Sequence, residues 1–307
     1  MNQTKSSYKR AIAFDIQAIG REFLDDPYPT YRLLREYDPV HKNPDGTYFL
    51  TRYEDVIKAF RDPGMSSDKK VDFKPRFGDG PLYVHHTTSL VFNDDPYHKR
   101  VRRLMSEAFT PRKMEELDPV IDGIVDRLLD RVENLKKFDV VQDFALALPT
   151  EIVADMLGVP EEHRHKMHYY STLILGALDP VVSSEKLNAG HRAVEEFGAL
   201  LEELIAKRRK IPLGAEMGEV LVSLIFGEVD GQKLTPTELV QNCIFLLNAG
   251  HETTASLVSN GIGTLLEFPE QLNRLREDPT LIESAIEEFL RFQSPLQIGN
   301  RKVMEET

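Results

Sequence analysis

A single cysteine, Cys243, in 307 residues excludes any internal disulfide and fits a reducing compartment. Basic charge is also short: 38 Lys and Arg stand against 50 Asp and Glu, a formal net charge of −12. Broad nucleic-acid binding needs a basic face, so that class drops out, although local basic patches stay open. Met1 to Gly20 contains no apolar run of signal-peptide type, and no stretch is long and apolar enough to read as a bilayer span. The expectation is a soluble, cytoplasmic protein with no membrane or nucleic-acid partner. Internal repeats, low-complexity tracts and Gly/Ser-rich linkers are absent too, so 1–307 reads as one domain. The remainder is ordinary globular composition, 41% hydrophobic and 29% charged, with length enough to bury a large core.

One stretch is nearly free of charge. Between Leu239 and Leu266 the only formally charged side chain is Glu252, with His251 beside it. Thr235-Pro236-Thr237-Glu238 ahead of it has the form of a capping box, and Pro269 is the next breaker. The spacing predicts a helix of about 32 residues, roughly 48 Å at 1.5 Å per residue. A helix that apolar is expected to be buried, and a lone buried carboxylate is costly unless paired, protonated or near water. Gly250 costs about 1 kcal/mol in mid-helix against Ala. Its missing side chain would let a flat or bulky ligand approach the backbone. Thr253 can turn its hydroxyl onto the Ala249 carbonyl four residues back. Small residue, acid and alcohol in adjacent turns suit proton delivery in a dry pocket. Equally, the same residues describe a core helix with a glycine packing notch and an acid satisfied by a neighbour.

Along the rest of the chain, Asp26-Pro27-Tyr28-Pro29 starts a short helix, and Asn43-Pro44-Asp45-Gly46 turns a hairpin between 39–41 and 48–51. A helix from Tyr53 ends near Asp62-Pro63-Gly64. Residues 65–90 show scattered Gly, Pro and Ser with little periodicity and read as a long loop. In Phe92 to Met105, Asp94 or Asp95 can cap a helix with Pro96 at its start. His98 and Arg102 then share one face, a pair suited to a carboxylate or phosphate. A solvated basic face is the plainer reading of that run. Residues 114–210 carry helical spacing throughout. His163, His165 and His168 lack the carboxylate or Cys pattern of a metal site and read as solvent-exposed. After Pro269 a short charged helix is followed by one holding Glu288 and Arg291, three apart and able to pair, for a few tenths of a kcal/mol if exposed. His251-Glu252 opens a zinc-hydrolase pattern that fails at once, because residue 255 is Ala.

Four segments in one order resemble a known family. Ala249-Gly250-His251-Glu252-Thr253-Thr254 resembles the distal I helix of cytochromes P450. Asp95-Pro96-Tyr97-His98 with Arg102 and Ala108-Phe109-Thr110-Pro111 looks like their C helix. Glu288-Phe289-Leu290-Arg291 is similar to the Glu-x-x-Arg of their K helix, and Asn300-Arg301 matches the position of a later arginine. The resemblance implies a mainly α chain, an incomplete P450 fold with a long central I helix and a small N-terminal β-sheet. It implies haem as cofactor, with Ala249 and Gly250 against it and His98, Arg102 and Arg301 holding its propionates. It further implies Glu252 and Thr253 as the acid–alcohol pair of oxygen activation, and Glu288 and Arg291 as a structural pair. By the same resemblance the activity is haem-thiolate monooxygenation of a small hydrophobic substrate, fed by a ferredoxin-type or similar electron donor.

The family's thiolate ligand lies in a Phe-Gly-x-Gly loop followed by the L helix, and Thr307 comes before both. Cys243 lies two to three turns ahead of Glu252 and reads as a buried small hydrophobe. The expectation is therefore a truncated chain, poorly stable, with apolar surface open to water and no thiolate-ligated oxygen activation. The competing reading is a non-catalytic remnant that binds hydrophobic ligands or nothing.

Overall fold

The capping box forms: the Thr235 hydroxyl accepts from the Glu238 amide at 3.2 Å, and the Glu238 carboxylate accepts from the Thr235 amide at 2.9 Å. With Pro236 in the first turn, the helix runs Pro236–Glu267, 32 residues, in this computed structural model of the chain. The structure describes residues 2–210 and 220–304; Thr307 lies outside them. It is mainly helical, as the sequence predicts, and its contacts divide it into two compact units.

The larger unit comprises Asp68–Leu178 and Ser183–Gly299. Helices Ala147–Leu157, Met167–Gly176 and Ser184–Arg208 pack on the central helix. Leu239, Ile244 and Leu247 of that helix join Phe197, Leu201 and Leu157 in one buried cluster. Each such side chain contributes about 1.5–3 kcal/mol by leaving water, so burial rather than helix propensity holds the bundle.

The smaller unit comprises Met1–Ser67, Asp179–Val182 and Asn300–Thr307. Its hairpin pairs β1 (Val40–Lys42) with β2 (Tyr48–Leu50) in antiparallel register, as the turn signal predicts. Helix Asn2–Ile12 packs on Tyr28–Tyr37, and Phe14, Phe23, Tyr31 and Phe49 form an aromatic cluster. β3 (Met65–Ser66) pairs with β4 (Lys302–Val303).

Residues 65–90 are not a loop. After β3 they form helices Lys70–Phe77 and Pro81–Thr88. Pro75 and the flanking Gly78 and Gly80 mask the first helix. The second is hidden because two of its buried residues are His85 and His86, each 2% exposed, which count as polar in any hydrophobic pattern. The residue at the N-cap of helix Tyr97–Ser106 is Pro96, not an aspartate, and it makes no side-chain capping bond.

Candidate functional site

Burial along the central helix changes at Ala249. Leu239 to Ile244 are buried, whereas Ala249, Glu252, Thr253 and Thr254 are exposed. The expectation of a carboxylate buried at Glu252 is thus overturned. The packed helices cover the first half of this long element, and helices Pro269–Glu277 and Ile282–Phe292 meet its far end. The face between lies open. Thr253 donates its hydroxyl to the Ala249 carbonyl at 3.0 Å, the bond the spacing predicts. That bond ties the alcohol to its own helix, one turn back, beside the acid.

Gly250 also faces a neighbouring helix. A Cβ there would stand 3.1 Å from Val153 Cγ2, so the glycine serves as a packing notch for helix Ala147–Leu157. The consequence is measurable. Ala at 250 regains about 1 kcal/mol of helix propensity and loses a comparable amount by crowding Val153. Gly250→Ala is expected to change stability by less than about 1 kcal/mol, and to stabilise only in a Val153→Ala background; a urea double-mutant cycle reads that coupling.

His98 and Arg102 do share a face. Both line a hollow of about 450 Å³ with the bases Lys99 and Arg103 and the acids Asp95 and Glu107, so bases outnumber carboxylates there. Asp95 stands 3.7 Å from His98 Nδ1. None of Ala249 to Thr253 lines this hollow. Glu288 and Arg291 pair through two bonds, 2.6 and 2.7 Å, on an exposed face. Mutual bonding holds the carboxyl below and the guanidinium above their ordinary ranges. Arg301 belongs to the smaller unit, where its guanidinium stacks 4.3 Å from the centroid of the Phe60 ring. Open apolar surface is present as expected: Leu266 is 67% and Leu296 65% exposed.

These donors fit part of a haem. The His98 and Arg102 side chains have the chemistry to hold carboxylates, and the Ala249–Thr253 face is exposed. Cys243 does not fit the role of iron ligand: it is fully buried, and burial pushes its thiol up to about 12.

Sequence reading missed a line of buried polar groups along the covered half of the helix. Arg100 forms an ion pair with Glu238. His85 donates Nδ1–H to Gln241 Oε1 and accepts from Asn248 Nδ2, both at 3.1 Å. Asn242 accepts the Leu90 amide at 3.0 Å. His251, 1% exposed, meets His168 Nδ1 through its Nε2 at 3.0 Å. His168 is therefore a half-buried partner, not the solvent-exposed residue expected. Desolvation, then His168, pushes His251 down to about 4, against the opposing Leu146 carbonyl. A run of Glu238, Gln241, Asn242, Asn248 and His251 on an otherwise apolar helix was the available signal, since buried polar groups require partners.

The cytochrome P450 family model matches residues 39–307. The chain is 35% identical to a biotin biosynthesis cytochrome P450 of Bacillus subtilis (strain 168), covering 93% of this chain and 71% of that one. It is 36% identical to the vitamin D(3) 25-hydroxylase of Pseudonocardia autotrophica, covering 89% of this chain and 66% of that protein. Among solved structures, P450BioI in complex with hexadec-9Z-enoic acid ligated acyl carrier protein superposes with a TM-score of 0.85 at 34% identity, over 94% of this chain and 74% of that one. Myxobacterial CYP267B1 in complex with myristic acid gives 0.77 at 32% identity, over 88% of this chain and 68% of that one. With a family model spanning most of its length and relatives of this identity, the chain belongs to the cytochrome P450 family.

Proposed function

We propose that this chain supplies the distal wall and one propionate-binding edge of a haem-thiolate monooxygenase that inserts oxygen into a small hydrophobic substrate. Haem with a thiolate ligand supplies the oxygen-activating chemistry when bound. His98 and Arg102 hold its carboxylates by charge-assisted hydrogen bonds. Arg301 is a propionate donor by family resemblance alone. Glu252 takes protons from solvent, which its exposure permits, and passes them along the helix face. Thr253 holds a proton at Oγ1, kept in place by the Ala249 carbonyl. Ala249 keeps that face low enough for a flat ring. The observation that carries this reading is the accessible acid and alcohol on one turn, with the alcohol bonded back to Ala249.

An acyl chain is the first substrate to try, because two solved relatives are described with a fatty acyl group bound. A small electron-transfer protein of ferredoxin type is the electron donor by family. The competing reading, a non-catalytic chain that binds hydrophobic ligands, is favoured by the depth of Cys243, which is fully buried with its thiol pushed up by burial.

Haem titration of the purified chain separates the two. Saturable binding that weakens at least about tenfold in His98→Ala and Arg102→Ala, the worth of one charge-assisted bond each, supports the propionate edge. Equal affinity in both variants overturns it. A thiolate-type Soret band with CO after reduction supports monooxygenation by this chain, and no band or an imidazole-type band favours the non-catalytic reading.

A further inference from the structure

Helix Pro81–Thr88 is fastened at three points, and each fastening is an imidazole. Its start has a gap in hydrogen bonding. Pro81 has no amide proton, Gly80 has no side chain to cap with, and the first amide in need of an acceptor is that of Leu82. His191, from helix Ser184–Arg208, fills the gap: its Nδ1 accepts from the Leu82 amide at 3.2 Å. Gly80 is what allows this approach. A Cβ there would lie 2.5 Å from His191 Cε1 and 2.8 Å from Nδ1, so a Ser or Asp cap and this histidine exclude one another. The second fastening is His85, held between Gln241 and Asn248 of the central helix. The third is His86, packed against Phe73, Phe77 and Phe92 with ring centroids 5.6, 5.5 and 5.6 Å from its own. Its Nε2 has no hydrogen-bond partner.

All three require neutral rings. A protonated His191 would present N–H to an N–H, at the positive end of a helix. A protonated His85 would point Nε2–H at the Asn248 amide group and lose the bond it now accepts. A protonated His86 would place a cation inside an aromatic box that Arg76 already faces. The charged groups around them are few. Arg76 faces His86 from helix Lys70–Phe77, and Glu195 faces His191 from its own helix. The central helix offers His85 only the neutral Gln241 and Asn248, and Asp79 beside Gly80 is taken by Lys74. Burial lowers all three imidazoles from their ordinary value, which favours the neutral rings in the folded chain.

We propose that helix Pro81–Thr88 is an acid-released clamp on the central helix: proton uptake by His85, His86 and His191 detaches it and uncovers Gln241 and Asn248, while the rest of the bundle stays folded. The inference rests on this packing alone and stands whether or not the haem reading holds.

The chain contains no tryptophan, so a single Val84→Trp substitution on this helix, at a side chain 37% exposed, gives a clean reporter. Its emission is followed from about pH 7.5 to about pH 4, alongside far-UV circular dichroism of the whole chain. The expected result is a reporter transition at higher pH than the loss of helix, with uptake of about three protons, falling to about two in His191→Gln, which keeps an acceptor but cannot titrate. Glu195→Gln, on the surface, is expected to move the midpoint down, because the carboxylate favours the protonated ring. Hydrogen exchange of the peptide spanning 78–90 gives the same reading in the unsubstituted chain. A reporter or exchange change that coincides with global unfolding, or one that His191→Gln and Glu195→Gln both leave unmoved, overturns the proposal.

Discussion

Arg100→Ala is expected to destabilise the chain by about 3–5 kcal/mol at neutral pH, the cost of leaving a buried charge without its partner. Glu238 is the group left behind. Its side chain is 8% exposed, and it closes the capping box while meeting the Arg100 guanidinium, itself 29% exposed. Tyr97 is drawn into the same cluster: Arg100 lies over its ring at 5.3 Å, and burial, then Glu238, raises its hydroxyl. Burial pushes the Glu238 carboxyl up, but the Thr235 amide and Arg100 outweigh it and hold it below the ordinary carboxylate range. The sign follows. A carboxylate lowered in the folded state contributes stability that is complete above its unfolded value, about 4.3, and is lost as pH falls through the folded one. The difference between wild type and Arg100→Ala in urea unfolding is therefore expected to shrink at acid pH, where Glu238 is neutral in both. Adding Glu238→Gln to Arg100→Ala should recover part of the loss at pH 7, since an amide needs no cation. A full, pH-independent penalty, or no recovery in the double variant, would assign the effect to packing of the arginine stem instead.

What was legible in the sequence was local. A Thr, a Pro and a Glu within four residues predict the start of the central helix, because the bonds they make reach no further than one turn. His98 and Arg102 share a face by spacing alone, and Thr253 finds Ala249 for the same reason. What failed was everything that depends on another element. Glu252 was expected to be buried because its helix is apolar, yet exposure is decided by which neighbours reach that turn. Gly250 has two readings in sequence, and the packing one depends on Val153, on a different helix. The bonds Arg100–Glu238, His85–Gln241 and His168–His251 join residues 138, 156 and 83 apart. No periodicity registers such pairs. A histidine used as a core residue also subtracts from the hydrophobic pattern it belongs to, and this is why helix Pro81–Thr88 passed for a loop.

The same histidines set the second large effect, a steep loss of stability in mild acid. His85 and His251 are each held down to about 4 in the folded chain, against an ordinary 6.5, by burial first and foremost. His86 is lowered as well, by burial, then His85, then Arg76. A base that is harder to protonate when folded leaves the unfolded chain binding more protons below its ordinary value. Stability is thus complete above about pH 6.5 and falls as pH drops toward 4. Two such groups give a slope of about 2.7 kcal/mol per pH unit across that window, and His86 steepens it. Urea unfolding at several pH values measures this directly. His251→Asn is expected to remove one proton, about 1.4 kcal/mol per pH unit, from the slope. A flat profile between pH 6.5 and 5 would mean that these rings protonate in place. If helix Pro81–Thr88 lets go first, His85 and His86 take up their protons before global unfolding and drop out of its slope. The profile should then break at the pH where the Val84→Trp reporter moves, leaving His251 to carry the remainder. A break there that His191→Gln shifts and His251→Asn does not would separate release of the clamp from collapse of the bundle.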